Sequence, residues 1–527
     1  MGFAQAEISF RTIVLTGDEV PGAGTDTSFS NLFQPVLNDS GEVAFASNLR
    51  GPGVIADTLH GLFVNPTGVR GETLVLGREG DAVAGTTVGT QLGSFNDLIL
   101  NNQGYIAAVN TVTGPPERRF DSPAIVRQAE SGLSVAARRG DPISSEMPSA
   151  EFANFFRPAF SDGGDLAFFS FLDGAGVTSS NDQGVFRVPG ISGEAVRPIV
   201  REGDPISGSL SGLVVEVLGS PVINGAGQVA VLGRSGGDAR SASAIFTDLF
   251  SSSAQIREEY RGGDPAPFAQ PGAAFLGFSS PAISDGGHLA FAARLTGADI
   301  NGLSDDAVYV RSGEDLRLVA RDSLDAPGLS RPARFDGFEQ VLVNSPGQVA
   351  FLASFNRFSD DVSLTEDTAL YLEDGNGLNL IAREGDQAPV GDTDVAFGQF
   401  GGHTLNDAGQ LVFLNLLNEE GVAPNNNAAV FFTLPGASPT LLLRTGDLFD
   451  VSDEIGITDL RTISRILIAT GSGGSDGRAR SLSDAGDLTL ALTFEDGSQG
   501  VFITRIPEPS AITLIGLGLP LILCRRR

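Results

Sequence analysis

The sequence has no lysine and no tryptophan, one cysteine, two methionines, three histidines and four tyrosines in 527 residues. All 34 basic residues are therefore arginine, against 64 acidic residues, for a net charge of −30. Scarce positive charge argues against a nucleic-acid partner, which needs a basic patch. The acidic excess fits a soluble, self-repelling surface. The lone Cys524 lies in the tail, so no disulfide holds the fold and stability must come from packing. That absence neither establishes nor excludes export. The histidines His60, His288 and His403 have no metal-ligand spacing. There is no Gly-x-Ser-x-Gly elbow, P-loop or dinucleotide fingerprint. No catalytic or cofactor-binding residue is assigned on this basis, and the chain reads as a non-enzyme. Sustained helical periodicity is missing as well.

What is present is repetition. The phrase Asn38-Asp39-Ser40-Gly41-Glu42-Val43-Ala44-Phe45 recurs with variation, beginning again at Asn101, Ser161, Asn224, Ser284, Asn344, Asn406 and Ser483. Its fourth residue is always glycine: Gly41, Gly104, Gly164, Gly227, Gly287, Gly347, Gly409 and Gly486. Asn, Asp and Ser bond their own nearby backbone, and glycine accepts a positive φ without a Cβ clash. After the glycine, Val43 and Phe45 alternate with Glu42 and Ala44, the period of a strand. An apolar run precedes the turn, so the phrase predicts a β-hairpin. Turn formation accounts for each of its residues, with no ring of metal-binding acids required.

Each unit carries three further landmarks. An apolar strand ends in Arg78-Glu79-Gly80-Asp81, Arg201-Glu202-Gly203-Asp204 or Arg383-Glu384-Gly385-Asp386. A Pro/Gly loop and a Phe-bearing strand follow, such as Phe152 to Phe160. A short strand such as Gly184-Val185-Phe186 comes after the turn phrase. From the aspartate of that tetrapeptide to the turn residue is 20 positions in unit after unit, from Asp18 to Asn38 through Asp386 to Asn406. The sixth unit reads Arg321-Asp322-Ser323-Leu324 instead, and in the eighth the distance grows to 36. The extra residues fall near Gly471-Ser472-Gly473-Gly474-Ser475-Asp476-Gly477, which reads as a flexible loop. Length also varies over Leu172 to Asp182 and Leu295 to Asp305, exposed loops where binding would sit.

Four antiparallel strands per unit of about 60 residues predict an all-β, eight-bladed β-propeller over 7–504. The eighth blade would end near Val501-Phe502-Ile503 one strand short, and the spare strand Ile8 to Leu15 would complete it, removing a sheet edge. A seven-bladed propeller or an open β-repeat array is the alternative. The Arg and Asp of Arg-Glu-Gly-Asp are expected to pair between blades. Asp305-Asp306 and Asp360-Asp361 are the acidic pairs able to hold Ca²⁺ weakly, with solvated loop acids as the plainer reading. No other cofactor is implied.

The two ends carry addresses. Ala4-Gln5-Ala6 matches the small-x-small pattern before a signal peptidase cut, so 1–6 reads as the remnant of an export signal, or else as a chance Ala-rich start. At 505–527, Pro507-Glu508-Pro509 precedes an apolar run from Ala511 to Cys524 and then Arg525-Arg526-Arg527. As a helix the run spans about 21 Å, short of a full bilayer crossing, and the terminal arginines favour the cytoplasmic side. This pattern resembles the PEP-CTERM sorting signal of exported bacterial proteins, with an ordinary tail anchor as the alternative. The repeat phrase, matched in full at 38–45 and 344–351, resembles that of the Asn-x-x-Gly-x-x-Ala-Phe tandem-repeat proteins with a choice of surface anchors. Repeats three and five have Ser for Asn, repeat four ends in Val231, and repeat eight keeps mainly the glycine. The resemblance implies export to the cell envelope, surface or exterior, cleavage by an exosortase near Pro507-Glu508-Pro509, and a membrane contact through the tail before processing. It carries no chemistry. The expectation is a structural or binding protein of the envelope or matrix, with exopolysaccharide as a neighbour. The rival is a propeller lyase or glycosidase acting on polysaccharide.

Overall fold

A computed structural model describes residues 8–506 except 24–25, 56–58, 85, 87–88, 115–121, 130–131, 145–146, 148, 192–194, 207–211, 238–239, 252–254, 303, 323, 330, 357–361, 364, 392–394, 419–421 and 455. Every regular element among them is a β-strand, and eight antiparallel sheets follow one another along the chain. Blade 3 shows the plan: Ala150–Phe160, Leu166–Gly174, Gln183–Val188 and Arg197–Arg201 pair in sequence order. The fold is an eight-bladed β-propeller of four-stranded blades. The seven-bladed and open alternatives fall away.

Phenylalanine builds the blade interior. On the second and third strands, directly paired rings stack nearly parallel: Phe45 on Phe63 at 5.5 Å, Phe168 on Phe186 at 5.7 Å, and Phe413 on Phe431 at 5.4 Å. A first-strand ring meets each pair edge-on, Phe29 and Phe152 at 4.9 Å and Phe397 at 5.0 Å. Such pairs add about 0.5–1.5 kcal/mol each beyond area burial. In blades 5 and 6, Tyr309 and Tyr371 take the third-strand place and donate their hydroxyls to the carbonyls of Pro267 and Pro327, both at 3.0 Å. That satisfies the one polar atom the ring brings inside.

The ring closes as the spare strand requires. Phe10–Leu15 pairs antiparallel with Gln499–Arg505, Phe10 opposite Thr504 and Leu15 opposite Gly500. Ile13 is fully buried with Val501 and Ile503 against blade 1.

Two expectations need correction. The aspartate of Arg-Glu-Gly-Asp pairs with an arginine across blades in the first unit, where Asp18 meets Arg70 of blade 1 at 2.6 Å, but its recurring partner is its own turn. It accepts from the backbone N–H three residues back: Leu15 to Asp18 at 2.9 Å, Arg78 to Asp81 and Arg201 to Asp204 at 2.7 Å, and Arg261 to Asp264 at 2.8 Å. The short aspartate reaches its own turn more easily than a neighbouring blade. The arginine turns to its own blade's loop instead, as when Arg201 donates to the Asn181 carbonyl at 2.7 Å. The expected flexible tract at 471–477 is packed, with Ser472 and Asp476 fully buried. The export remnant, Asp360-Asp361, Pro507-Glu508-Pro509 and the apolar tail lie outside the described residues. No helix among the described residues is long and apolar enough to cross a membrane.

Ring closure predicts an asymmetric response to substitution in one strand. Ile13→Asp places an unpaired charge in the seam between blades 8 and 1 and should cost at least about 3 kcal/mol. Arg11→Ala, exposed on the same strand, should stay within about 0.5 kcal/mol. Urea unfolding of both variants measures the contrast; equal midpoints would show that this strand does not lock the ring.

Candidate binding site at the channel mouth

The eight turns meet at one end of the central channel. All eight turn glycines have φ between 74° and 87°, the conformation the phrase predicts. The residue after each Asn or Ser does more than turn the chain. At six of the eight seams its side chain accepts the corresponding backbone N–H of the preceding blade: Asp39 N–H to Asn102 at 3.0 Å, Asn102 to Asp162 at 2.8 Å, and Ser345 to Asp407, Asp407 to Asp484 and Asp484 to Asp39 at 2.7 Å. The bond from Asp484 to Asp39 joins the last blade to the first. Gly225 donates to Asp285 in the same way. The asparagines add a second link, since Asn38, Asn101, Asn344 and Asn406 each donate a side-chain N–H to the next turn's carbonyl at 2.7–3.2 Å. Serine is too short for that, and Ser161 and Ser483 serve only their own turns.

The insertion in blade 8 enters the channel behind this ring. Its backbone bonds the inner strands directly: Phe160 N–H to Gly477 O at 2.8 Å, Leu37 N–H to Arg480 O at 3.0 Å, and Ile223 N–H to Asp476 O and Leu405 N–H to Ser472 O at 3.1 Å. Gly473 packs so closely that a Cβ would stand 2.2 Å from the Val343 carbonyl oxygen. Asp476 accepts from the Ser472 hydroxyl at 2.8 Å and from the Gly473 and Arg478 N–H groups. Arg480, its side chain 5% exposed, pairs with Asp39 at 3.0 Å and lies 3.9 Å from Asp484. The insertion is a plug.

On the far side of the plug the channel opens into a shallow mouth. The residue four before each turn residue rings it: Gln34, Asp97, Arg157, Ser220, Ser280, Gln340, Gly402 and Ala479. Most of these line two adjoining hollows, with Thr470, Gly471 and Arg478 of the plug as the floor. Asp97, Arg157 and Gln340 have φ of 45°, 35° and 50°, a conformation costly for residues with a Cβ and concentrated at functional sites. A proline follows at 35, 158, 221 and 281, where it removes a ladder donor and helps the inner strand break. Phe33 and Phe156, one residue before Gln34 and Arg157, stay 37% and 41% exposed. The repeat register held this ring in view, but only knowledge of which edge faces the axis identifies it.

Each histidine has its own surroundings. His60 stacks with Phe33 at 6.3 Å between centroids. His288 contacts the Ser312 hydroxyl at 2.6 Å and the Ser345 carbonyl at 3.1 Å, and burial lowers its pKa. His403 is buried beside the plug, and burial pushes it down to about 4. The turn ring holds the opposite shift. Burial, then the charges of Asp39 and Asp407, push Asp484 up to about 7 despite Arg480.

These shifts fix a pH response. A carboxyl whose folded pKa is raised gives stability that is full at low pH and is lost as pH rises through that value. His403 works in reverse: its lowered pKa costs stability as pH falls below about 6.5. The melting temperature should therefore rise from pH 8 to 6.5. Asp484→Asn keeps the acceptor for Asp407 and should stabilise by about 1 kcal/mol at pH 8 while flattening this rise. Calorimetry of both proteins tests it; a steeper rise in the variant would refute the assignment.

Several solved propellers are similar in shape. The β-propeller domain of the Trilobed protease from Pyrococcus furiosus is 10% identical, covering 79% of this chain and 98% of that one, with a TM-score of 0.38. The acylaminoacyl peptidase of Pyrococcus horikoshii is 9% identical over 79% of this chain, with a TM-score of 0.37; the match spans only 53% of that enzyme. The polysaccharide lyase Uly1 is 8% identical, covering 81% of this chain and 93% of the lyase, with a TM-score of 0.37. The reading of the chain as a non-enzyme is corrected on this finding: the similar propellers include a protease domain, a peptidase and a polysaccharide lyase, at 8–10% identity. No curated protein matches the sequence. Matches over residues 3–144 and 70–513 place the chain in a family of unknown function, DUF7453.

Proposed function

We propose that the chain is an exported, surface-associated propeller that binds glycan at the channel mouth. The observation that carries this reading is the mouth's chemistry. The plug closes the bore, so a ligand meets a shallow floor and not a tunnel. The rim offers neutral hydrogen-bonding groups, Gln34, Ser220, Ser280 and Gln340. Amides and hydroxyls gathered in an open hollow suit a polyhydroxylated ligand. Asp97 and Arg157 add one charge of each sign. Export and anchoring rest on Pro507-Glu508-Pro509, the apolar run and the terminal arginines, with an exosortase-type enzyme as processing partner and exopolysaccharide as the neighbour at the surface. The disulfide-free, acidic propeller is suited to that exposure.

Glycan-array binding by the full chain, run beside an activity screen on the same glycans, tests the reading. Gln34→Ala with Gln340→Ala should weaken binding about tenfold, two hydrogen bonds' worth. A chain that binds no glycan, or a double variant that binds as well as the parent, sinks the mouth assignment. Turnover of the bound glycan would make the same mouth an active site. Replacing Pro507-Glu508-Pro509 with alanines should leave the chain unprocessed in its host; normal processing would remove the sorting assignment.

A further inference from the structure

Blade 5 departs from its neighbours at the end of its outer strand. In blades 1, 3 and 6 the glutamate of Arg-Glu-Gly-Asp reaches the start of the third strand. Glu79 accepts from the His60 N–H at 3.1 Å, Glu202 from the Asp182 N–H at 3.0 Å, and Glu384 from the Thr368 hydroxyl at 2.9 Å. Blade 5 has Asp322 there, one methylene shorter. Its backbone N–H donates to the Asp306 carbonyl at 2.9 Å, which fixes it beside the start of Asp306–Ser312. Its side chain is fully buried, and neither carboxylate oxygen has a hydrogen-bond partner.

The orphaned carboxylate points at two more. One oxygen each from Asp305, Asp306 and Asp322 lie within 4.8 Å of one another. Asp305 is held from outside by Arg294, at 2.8 Å, whose own side chain is 61% exposed. Three carboxylates and one arginine leave two uncompensated charges in a mostly enclosed space. Burial, then the charges of Asp306 and Asp305, push Asp322 up to about 7 against the pull of the nearby backbone N–H groups. Burial, then Asp305, push Asp306 up to about 6. A buried, unpartnered carboxylate among like charges is strongly unfavourable unless a proton or a cation joins it.

We propose that Asp305, Asp306 and Asp322 form a binding site for one divalent cation of the Ca²⁺ type. The donors are all oxygen, which selects hard cations over zinc or copper. Oxygens within 4.8 Å of one another are close enough for one ion with Ca–O bonds of roughly 2.3–2.6 Å to bridge them. Mg²⁺ demands a near-ideal octahedron and gives up its waters reluctantly, so three carboxylates in a mostly enclosed space suit it less well. The ion ties the loop before Asp306 to the end of the outer strand Asp315–Arg321. Asp306 also lines the groove that runs past Glu339 and Gln340 to the mouth, so the ion would stiffen one wall of the approach.

The test uses the full chain, stripped with chelator and titrated with CaCl₂ in about 0.15 M salt, where exposed acids are screened. Calorimetric titration should show one saturable ion per chain, and millimolar Ca²⁺ should raise the melting temperature by roughly 2–4 °C. Asp322→Asn should abolish both responses, and the chelated variant should melt no lower than the chelated parent, because it loses an unpaired charge. If Asp322→Asn does not fold, Asp306→Asn, half-exposed, gives the same readout. A parent chain that binds no Ca²⁺ at millimolar concentration overturns the proposal, as does a variant that binds like the parent.

Discussion

The structure depends on a single clasp: the backbone N–H at the start of each turn, given to the side chain at the same position in the next blade. A propeller seam is otherwise a contact between two sheet faces, which excludes water but does not fix angle. A hydrogen bond aimed along the ring fixes it, and a carboxylate acceptor makes the bond charge-assisted. The clasp fails where chemistry says it must. Gly225 has no side chain to offer Asp162, and no such bond runs from Asp285 to Ser345. At the first of these seams the plug supplies Asp476 and Gly477 to the inner strands of blades 4 and 3. At the second, His288 reaches the Ser345 carbonyl and Ser475 reaches the Ser345 hydroxyl. Each gap in the pattern has a local substitute.

Acids gathered in this way repel one another. Asp39, Asp162, Asp285, Asp407 and Asp484 all stand at one position of the repeat, and burial first, then their mutual repulsion, raises the pKa of Asp484 and Asp285. Arg480 is the local answer, placed by the plug against Asp39 and Asp484. The single departure from repeat length and the charge balance of the turn ring are therefore one device. Strain collects at the other end of the channel. Asp97, Arg157 and Gln340 hold left-handed conformations where the register of the inner strand shifts.

The architecture was legible because it needs only local signals repeated in register. Asn-Asp-Ser-Gly declares a turn, Val-Ala-Phe a strand, and a spacing of 20 sets the blade. The spare strand at Phe10–Leu15 then follows from counting. The roles of side chains at the seams were not legible, because they depend on which blades become neighbours across the ring. Asp39 looks like a turn residue and is one, but it is also the acceptor for Asp484, 445 positions away. The Gly/Ser composition of 471–477 misled for a similar reason. Glycine and serine are the residues of a loose linker, and also those that fit where backbone passes backbone with no room for a Cβ. At Gly473 and Gly477, where a Cβ would meet Val343 O at 2.2 Å and Ile223 Cγ2 at 2.6 Å, the second use governs. Asp322 stood out in the sequence only as a broken motif; its partners became visible once the outer strand lay beside Asp305 and Asp306.

Why the plug belongs to the fold and is not a decoration follows from the inner strands. In blades 1 to 7 the first strand lies at the edge of its sheet, so its other side carries N–H and C=O groups facing the axis. An unpaired polar edge is tolerable where water reaches it and unfavourable where packing excludes water. Leu37, Leu405, Val222 and Phe160 are almost wholly buried around the bore, so water does not solvate that edge well. The plug answers with backbone carbonyls from Ser472, Asp476, Gly477 and Arg480, given to blades 7, 4, 3 and 1. One insertion thus completes four sheets at once, and it can do so only from the blade whose inner strand ends beside the axis with residues to spare. A propeller closed in this manner has lost its tunnel, which leaves the mouth as the place where the axis still meets solvent.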